Sequence, residues 1–117
     1  MKEIANKIYK SLGAGYSESV YHRAFEVSLR ELGIPYETER IVPIVFEGHT
    51  IGNLRIDLIV NGETIIELKA IAKLNDAAKI QTLNYMKLTG LKRALLVNFP
   101  QTLSVLHPEI LVFEPPV

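Results

Sequence analysis

The sequence predicts a single α/β domain in which helices pack on a mixed sheet, and three observations carry that expectation. The stretch Leu54 to Ala70, LRIDLIVNGETIIELKA, alternates apolar and polar residues in two short runs around a tight turn, as half-buried strands do. Two other stretches carry helix start and stop chemistry. Ser17 and Asn75 stand where N-caps belong, and Gly33 and Gly90 just past the ends. Leu95, Leu96, Val97 and Phe99 form a nearly continuous apolar run, the pattern of a strand covered on both faces. At 117 residues the chain has room for one core, so residues 1–117 are read as one domain.

The elements follow in order. Residues 2–12 read as a short helix closed by Gly13-Ala14-Gly15. Ser17 then caps a longer helix with Glu18 in its first turn, where a carboxylate suits the helix dipole. Tyr21, Ala24, Phe25, Leu29 and Leu32 give this helix an apolar stripe. Ile34-Pro35 leads to a strand over roughly residues 36–47, which Pro43 marks as an edge or bulged strand. Glu47-Gly48 turns the chain into the central hairpin. Asn75 begins a helix running to Thr89, on which Gln81 and Tyr85 share a face as i,i+4 neighbours. Pro100 stops the apolar strand, Ile110 to Phe113 is a last strand, and the Pro115-Pro116 tail is expected to be loose. The order is α, α, β, β, β, α, β, β.

Alternation sorts the hairpin by face. Leu54, Ile56, Leu58 and Val60 share one face with Thr64, Ile66, Leu68 and Ala70, while Arg55, Asp57, Glu63, Glu67 and Lys69 take the other. Opposed residues share a face, so the apolar sets coincide only where paired numbers sum to an even value. A two-residue Asn61-Gly62 turn would pair 60 with 63 and break the match. A three-residue loop, Val60-Asn61-Gly62 with Gly62 left-handed, pairs 59 with 63 and restores it. Arg55 then faces Glu67, and Asp57 lies diagonal to Glu67 at roughly 7–8 Å. Asp57, Glu67 and Lys69 are thus expected to converge.

Composition removes several chemistries. With no cysteine there is no thiolate metal site, cysteine nucleophile or disulfide, which suits a reducing cytoplasm. The start, MKEIANKIYKSL, is neither a signal peptide nor a membrane span. His22, His49 and His107 have no zinc spacing, no GxxxxGKS loop is present, and no serine sits in a nucleophile elbow. Net charge is zero, yet from Leu68 to Arg93 six basic residues (Lys69, Lys73, Lys79, Lys87, Lys92, Arg93) face Asp76 alone. A basic patch beside a carboxylate site suits a phosphate backbone, and a solvated helix face explains it equally well.

The chemistry that needs two carboxylates and an ammonium together is metal-assisted hydrolysis. Two hard carboxylates can hold Mg²⁺ or Mn²⁺, and the cation acidifies a bound water. Lys69 can orient that water or stabilise charge on the phosphate. Glu18 is a candidate third carboxylate, and Gln81 a contact to phosphate or a ligand water. Tyr21 and Tyr85 could stack on a base, although helical tyrosines facing a sheet are more often core. The competing explanations are a surface ion cluster of little energetic weight and a nucleic-acid-binding or assembly module without turnover.

The segment Gly15-Tyr16-Ser17-Glu18-Ser19-Val20-Tyr21 resembles the signature of the GxxExxY family within the PD-(D/E)XK nuclease superfamily. Four further blocks agree in order: Arg55-Ile56-Asp57-Leu58-Ile59-Val60, Ile66-Glu67-Leu68-Lys69-Ala70, Gln81 with Tyr85, and Leu88-Thr89-Gly90-Leu91 with Leu96-Val97-Asn98-Phe99. The resemblance spans about residues 5 to 99. It implies a restriction-endonuclease-like αβββαβ core, a magnesium-dependent phosphodiesterase site and nucleic acid, expected to be DNA, as substrate. Under it Asp57 and Glu67 are metal ligands with Glu18 beside them, Lys69 is the catalytic lysine, and Gln81 and Tyr85 are the helix pair. Arg55, Lys73 and Tyr85 are the candidates for substrate contact. The family often has His at the position of Tyr9 and Pro at that of Ala14, so the loop before Glu18 is expected to differ. A homodimer is compatible with so small a chain, although no interface motif is visible.

Overall fold

The computed structural model describes residues 1–115, so the expectation of a loose tail at Pro116 lies outside the described residues. Five strands form one mixed sheet in the order β1-β2-β3-β4-β5. They are β1 (Tyr36–Phe46), β2 (His49–Val60), β3 (Thr64–Lys69), β4 (Arg93–Asn98) and β5 (Glu109–Phe113). Three helices flank it: α1 (Lys2–Leu12), α2 (Glu18–Glu31) and α3 (Asp76–Thr89). Only β3 and β4 run parallel, joined by the α3 crossover; the other neighbours are antiparallel. The α/β class and mixed sheet follow the sequence pattern, and β1 is an edge strand, as Pro43 requires. No helix among the described residues is long and apolar enough to cross a membrane.

Both faces of the sheet are covered. On one, Ile4, Ile8 and Tyr9 of α1 and Tyr21, Phe25 and Leu29 of α2 pack on Leu58, Val60, Ile66, Leu68, Leu95, Val97 and Phe99. Tyr21 stacks on Phe99 with ring centroids 4.3 Å apart. On the other, Tyr85 of α3 packs with Val42, Ile56, Ile59, Ile65 and Ala94. Adjacent residues of β4 therefore serve opposite cores, which is why that run has no polar alternation. Asn75 caps α3, its side chain accepting the Ala78 N–H at 2.9 Å, and Gly90 takes the left-handed C-cap. Ser17 occupies the α2 N-cap position, but its hydroxyl meets that of Ser19 instead of an amide. Leu32 is not part of the α2 stripe; it stands past the last turn, 63% exposed.

The hairpin departs from expectation in two ways. Its pairs are Leu58↔Ile66, Ile59↔Ile65 and Val60↔Thr64, so the even parity holds but 59 pairs with 65 and not with 63. Asn61 and Gly62 both have positive φ (56° and 68°) and close a tight turn in which Glu63 N–H donates to Val60 O at 3.1 Å. Glu63 becomes the extra loop residue, and the register continues to set Asp57, not Arg55, opposite Glu67. Second, Leu54 and Ile56 lie with the α3 core while Leu58 and Val60 lie with the α1/α2 core. The face changes at Asp57. Beside it in β1, between the Thr38↔Leu58 and Arg40↔Ile56 pairs, Glu39 takes a left-handed φ of 55°. A non-glycine residue there costs on the order of 1 kcal/mol or more and marks a break in the regular strand.

Candidate active site

The ladder between β2 and β3 opens just past the Leu58↔Ile66 pair, and two side chains fill the gap. Asp57 N–H donates to Glu67 Oε1 at 2.9 Å, and Leu68 N–H donates to Asp57 Oδ2 at 2.8 Å. Each carboxylate takes the place of a carbonyl from the opposite strand. Each also keeps a second oxygen, Oδ1 or Oε2, outside those bonds. From α3, Gln81 reaches the same place, its Oε1 accepting from Lys69 Nζ at 2.8 Å.

The electrostatics are those of two carboxyl groups held close together in a partly buried place. Glu67 is only 2% exposed. Burial, and then the neighbouring Asp57 charge, push its carboxyl up to about 9, against the opposing pull of the Asp57 N–H and Lys69. Burial also raises Asp57, offset in part by the Leu68 N–H bond and by the charges of His22 and Lys69. Glu18 is raised by burial and next by Asp57. Among the described residues no ion pair involves Asp57, Glu67, Glu18 or Lys69.

Two hard carboxylates, each with an uncommitted oxygen and no direct ion pair among the described residues, suit Mg²⁺ or Mn²⁺, which take few protein ligands and keep waters. Among the described residues no group of three or more His, Asp or Glu side chains is gathered closely enough to hold an ion. Glu18, exposed at the start of α2, lies within electrostatic reach of Asp57 and Lys69.

Residues 1–110 match the PD-(D/E)XK nuclease superfamily. The chain belongs to that superfamily. No curated protein sequence matches it. Among solved structures, the crystal structure of SSO0001 is similar at TM-score 0.63 and 19% identity, over 86% of this chain and 51% of that one. The chain thus spans about half the length of SSO0001, and the likeness is one of fold. An alkaline exonuclease, LHK-Exo from Laribacter hongkongensis, aligns at TM-score 0.45 and 12% identity over 96% of this chain and 76% of that one.

In this PD-(D/E)XK domain the remaining candidates are placed as follows. Arg55 is exposed, and its backbone carbonyl accepts the Tyr85 hydroxyl at 2.9 Å. Tyr85 is buried, 2% exposed, so its ring serves the α3 core and its hydroxyl ties α3 to β2. Tyr21 is fully buried as well. Lys73 stands exposed on the bend between β3 and α3.

Sequence reasoning missed Asn98. Fully buried, it accepts the Ile71 N–H at 2.9 Å, donates to Ile71 O at 3.0 Å and donates to Glu109 at 2.8 Å. It acts as a surrogate strand for the chain leaving Lys69. An amide inside an otherwise apolar run was the available signal, since a buried polar group must find partners. Gln101 was missed too: it accepts the Gly15 N–H at 2.8 Å and so fixes the loop before Glu18. Nothing local in the sequence announces that contact across 86 residues.

Proposed function

We propose that this chain is a divalent-metal-dependent nuclease of the GxxExxY kind, acting in the cytoplasm on phosphodiester bonds of nucleic acid, with DNA as the substrate. One observation supports this above the others. Asp57 and Glu67 interlock across an opened ladder without a direct ion-pair partner, beside an ammonium held by Gln81. A surface ion cluster would pair its charges. A module that only bound nucleic acid would have no use for a buried acid pair.

In this proposal Asp57 and Glu67 hold the cation through the oxygens not spent on backbone amides. When bound, the ion would polarise a phosphoryl oxygen and lower the pKa of a water. Gln81 fixes Lys69 Nζ so that the ammonium orients the attacking water and meets negative charge growing on the phosphate. Glu18, at the helix start, bounds the site with a further negative charge. Arg55 and Lys73, both exposed, meet backbone phosphates. Tyr85 positions β2 through the Arg55 carbonyl.

Two measurements test the assignment. Calorimetric titration with Mn²⁺ should show binding to wild type and none to Asp57→Ala. Lys69→Met should keep most of the metal affinity and cut plasmid or oligonucleotide about 10²–10³-fold more slowly. Wild type that takes up no Mn²⁺ would refute the metal site. Wild type that binds Mn²⁺ and DNA without cutting would make the chain a binding module, and a fully active Lys69→Met would remove the lysine from its role.

A further inference from the structure

The β1–β2 hairpin is longer than the sheet it belongs to. Those strands have 11 and 12 residues, whereas β3 has six and pairs only with residues 58–60 of β2. From residue 49 to 54, before the Arg55 carbonyl meets Tyr85 of α3, the edge of β2 turned away from β1 has no strand beside it among the described residues. The distal hairpin is also apolar where it meets water: Ile41 is 52% exposed, Val45 58%, Phe46 62% and Ile51 65%. A free strand edge beside exposed apolar side chains is a pairing surface unless something covers it.

We infer that this arm is covered by the arm of a second copy of the same chain, the β2 edges pairing antiparallel about a two-fold axis. Charge argues against nucleic acid as occupant. Residues 41–54, IVPIVFEGHTIGNL, contain no lysine or arginine, one glutamate and one histidine, whereas a phosphate-contacting ribbon is basic. Geometry favours a like partner, because a strand edge is self-complementary when antiparallel and an isologous contact closes after two copies. The outer edge of β1 is also unpaired, but it is interrupted at Glu39 by a positive φ, at Pro43 by a missing N–H and at the register shift between Ile44 and Val45, so β2 offers the more regular edge.

The area sets the strength. Four large side chains a little over half exposed, with their neighbours, present on the order of 400–500 Å² per copy, the size at which an apolar patch marks an interface. Two copies then bury about 1,000 Å² in all, at the lower limit for a specific complex. The dimer should therefore be concentration-dependent, forming in the tens to hundreds of micromolar.

Sedimentation or light scattering on wild type, without nucleic acid, tests this whatever becomes of the nuclease assignment. The apparent mass should rise with concentration from 13.1 kDa toward twice that value. Val45→Lys/Ile51→Lys, both exposed and so tolerant of substitution, should stay monomeric throughout. The chain has no cysteine, so Asn53→Cys should give a disulfide-linked dimer under mild oxidation, in excess of Leu103→Cys on a remote exposed loop. A wild type that is monomeric at every concentration overturns the inference, as do a double-lysine variant that still dimerises, self-association seen only with an oligonucleotide, or equal cross-linking at residues 53 and 103.

Discussion

Glu67→Gln should stabilise the metal-free protein, and increasingly so as pH rises. A carboxyl whose pKa is higher folded than unfolded holds its proton more tightly in the folded state. Stability then falls as pH climbs from the ordinary value of 4.5 toward about 9. At pH 8 the interval travelled is about 3.5 units, and at roughly 1.4 kcal/mol per unit the ceiling is about 5 kcal/mol. Asp57 titrates beside it, and its own carboxyl is raised, so the charge left behind keeps part of that cost. An advantage of about 2–3 kcal/mol for Glu67→Gln at pH 8 is expected, or roughly 10 °C in Tm for a domain this size. Below pH 5 the two proteins should melt alike, because the glutamine keeps an oxygen for the Asp57 N–H. Thermal melts from pH 4.5 to 8.5 in chelator supply the comparison. Adding Mg²⁺ at pH 8 should raise wild type and leave the variant nearly unmoved. A variant less stable than wild type at pH 8, or a difference that does not change with pH, would refute the claim that burial and Asp57 raise Glu67.

Two further outcomes follow from the same coordinates. Because the metal-free pair holds a proton that a cation must displace, Mn²⁺ binding at pH 7 should release close to one proton, read as a dependence of calorimetric heat on buffer ionisation enthalpy; identical heats in phosphate and Tris would contradict it. Asn98→Ala strips partners from Ile71 and Glu109 in a fully buried place and should cost about 2–4 kcal/mol in urea unfolding, with cleavage slowed beyond the loss of folded protein.

Much of the domain could be read because its signals are local. Asn75 and Gly90 bracket α3 by cap chemistry, and β4 announces itself through residues that serve two cores at once. The convergence of Asp57 and Glu67 followed from parity alone. The exact pairing did not, because Asn61 and Gly62 both accept left-handed backbone and the three-residue loop moved on by one, returning Val60 to the strand and taking in Glu63. Nor could alternation foresee that Ile56 and Leu58 serve different cores. That change of face depends on the break at Asp57 and on Glu39 in the neighbouring strand, which no periodicity encodes. Tyr85 shows a different limit: the sequence gives its helical neighbour Gln81 correctly, but whether its ring meets a base or the core is decided by the depth at which α3 packs.

The opened ladder ties the fold to the chemistry proposed for it. Were β2 and β3 fully zipped, the Asp57 and Leu68 amides would bond to carbonyls, and both carboxylates would be pushed toward solvent, free to pair with any cation on the surface. Because each carboxylate instead accepts a main-chain amide, both are held in place by the backbone, with Glu67 buried and Lys69 held by Gln81. The cost is the raised proton affinity of Glu67, set first by its burial and then by repulsion from the Asp57 charge. A divalent ion offsets that repulsion, and a proton on Glu67 abolishes it by leaving a single anion. The same geometry that makes the metal-free domain less stable at alkaline pH is therefore what gives a cation something to gain by entering.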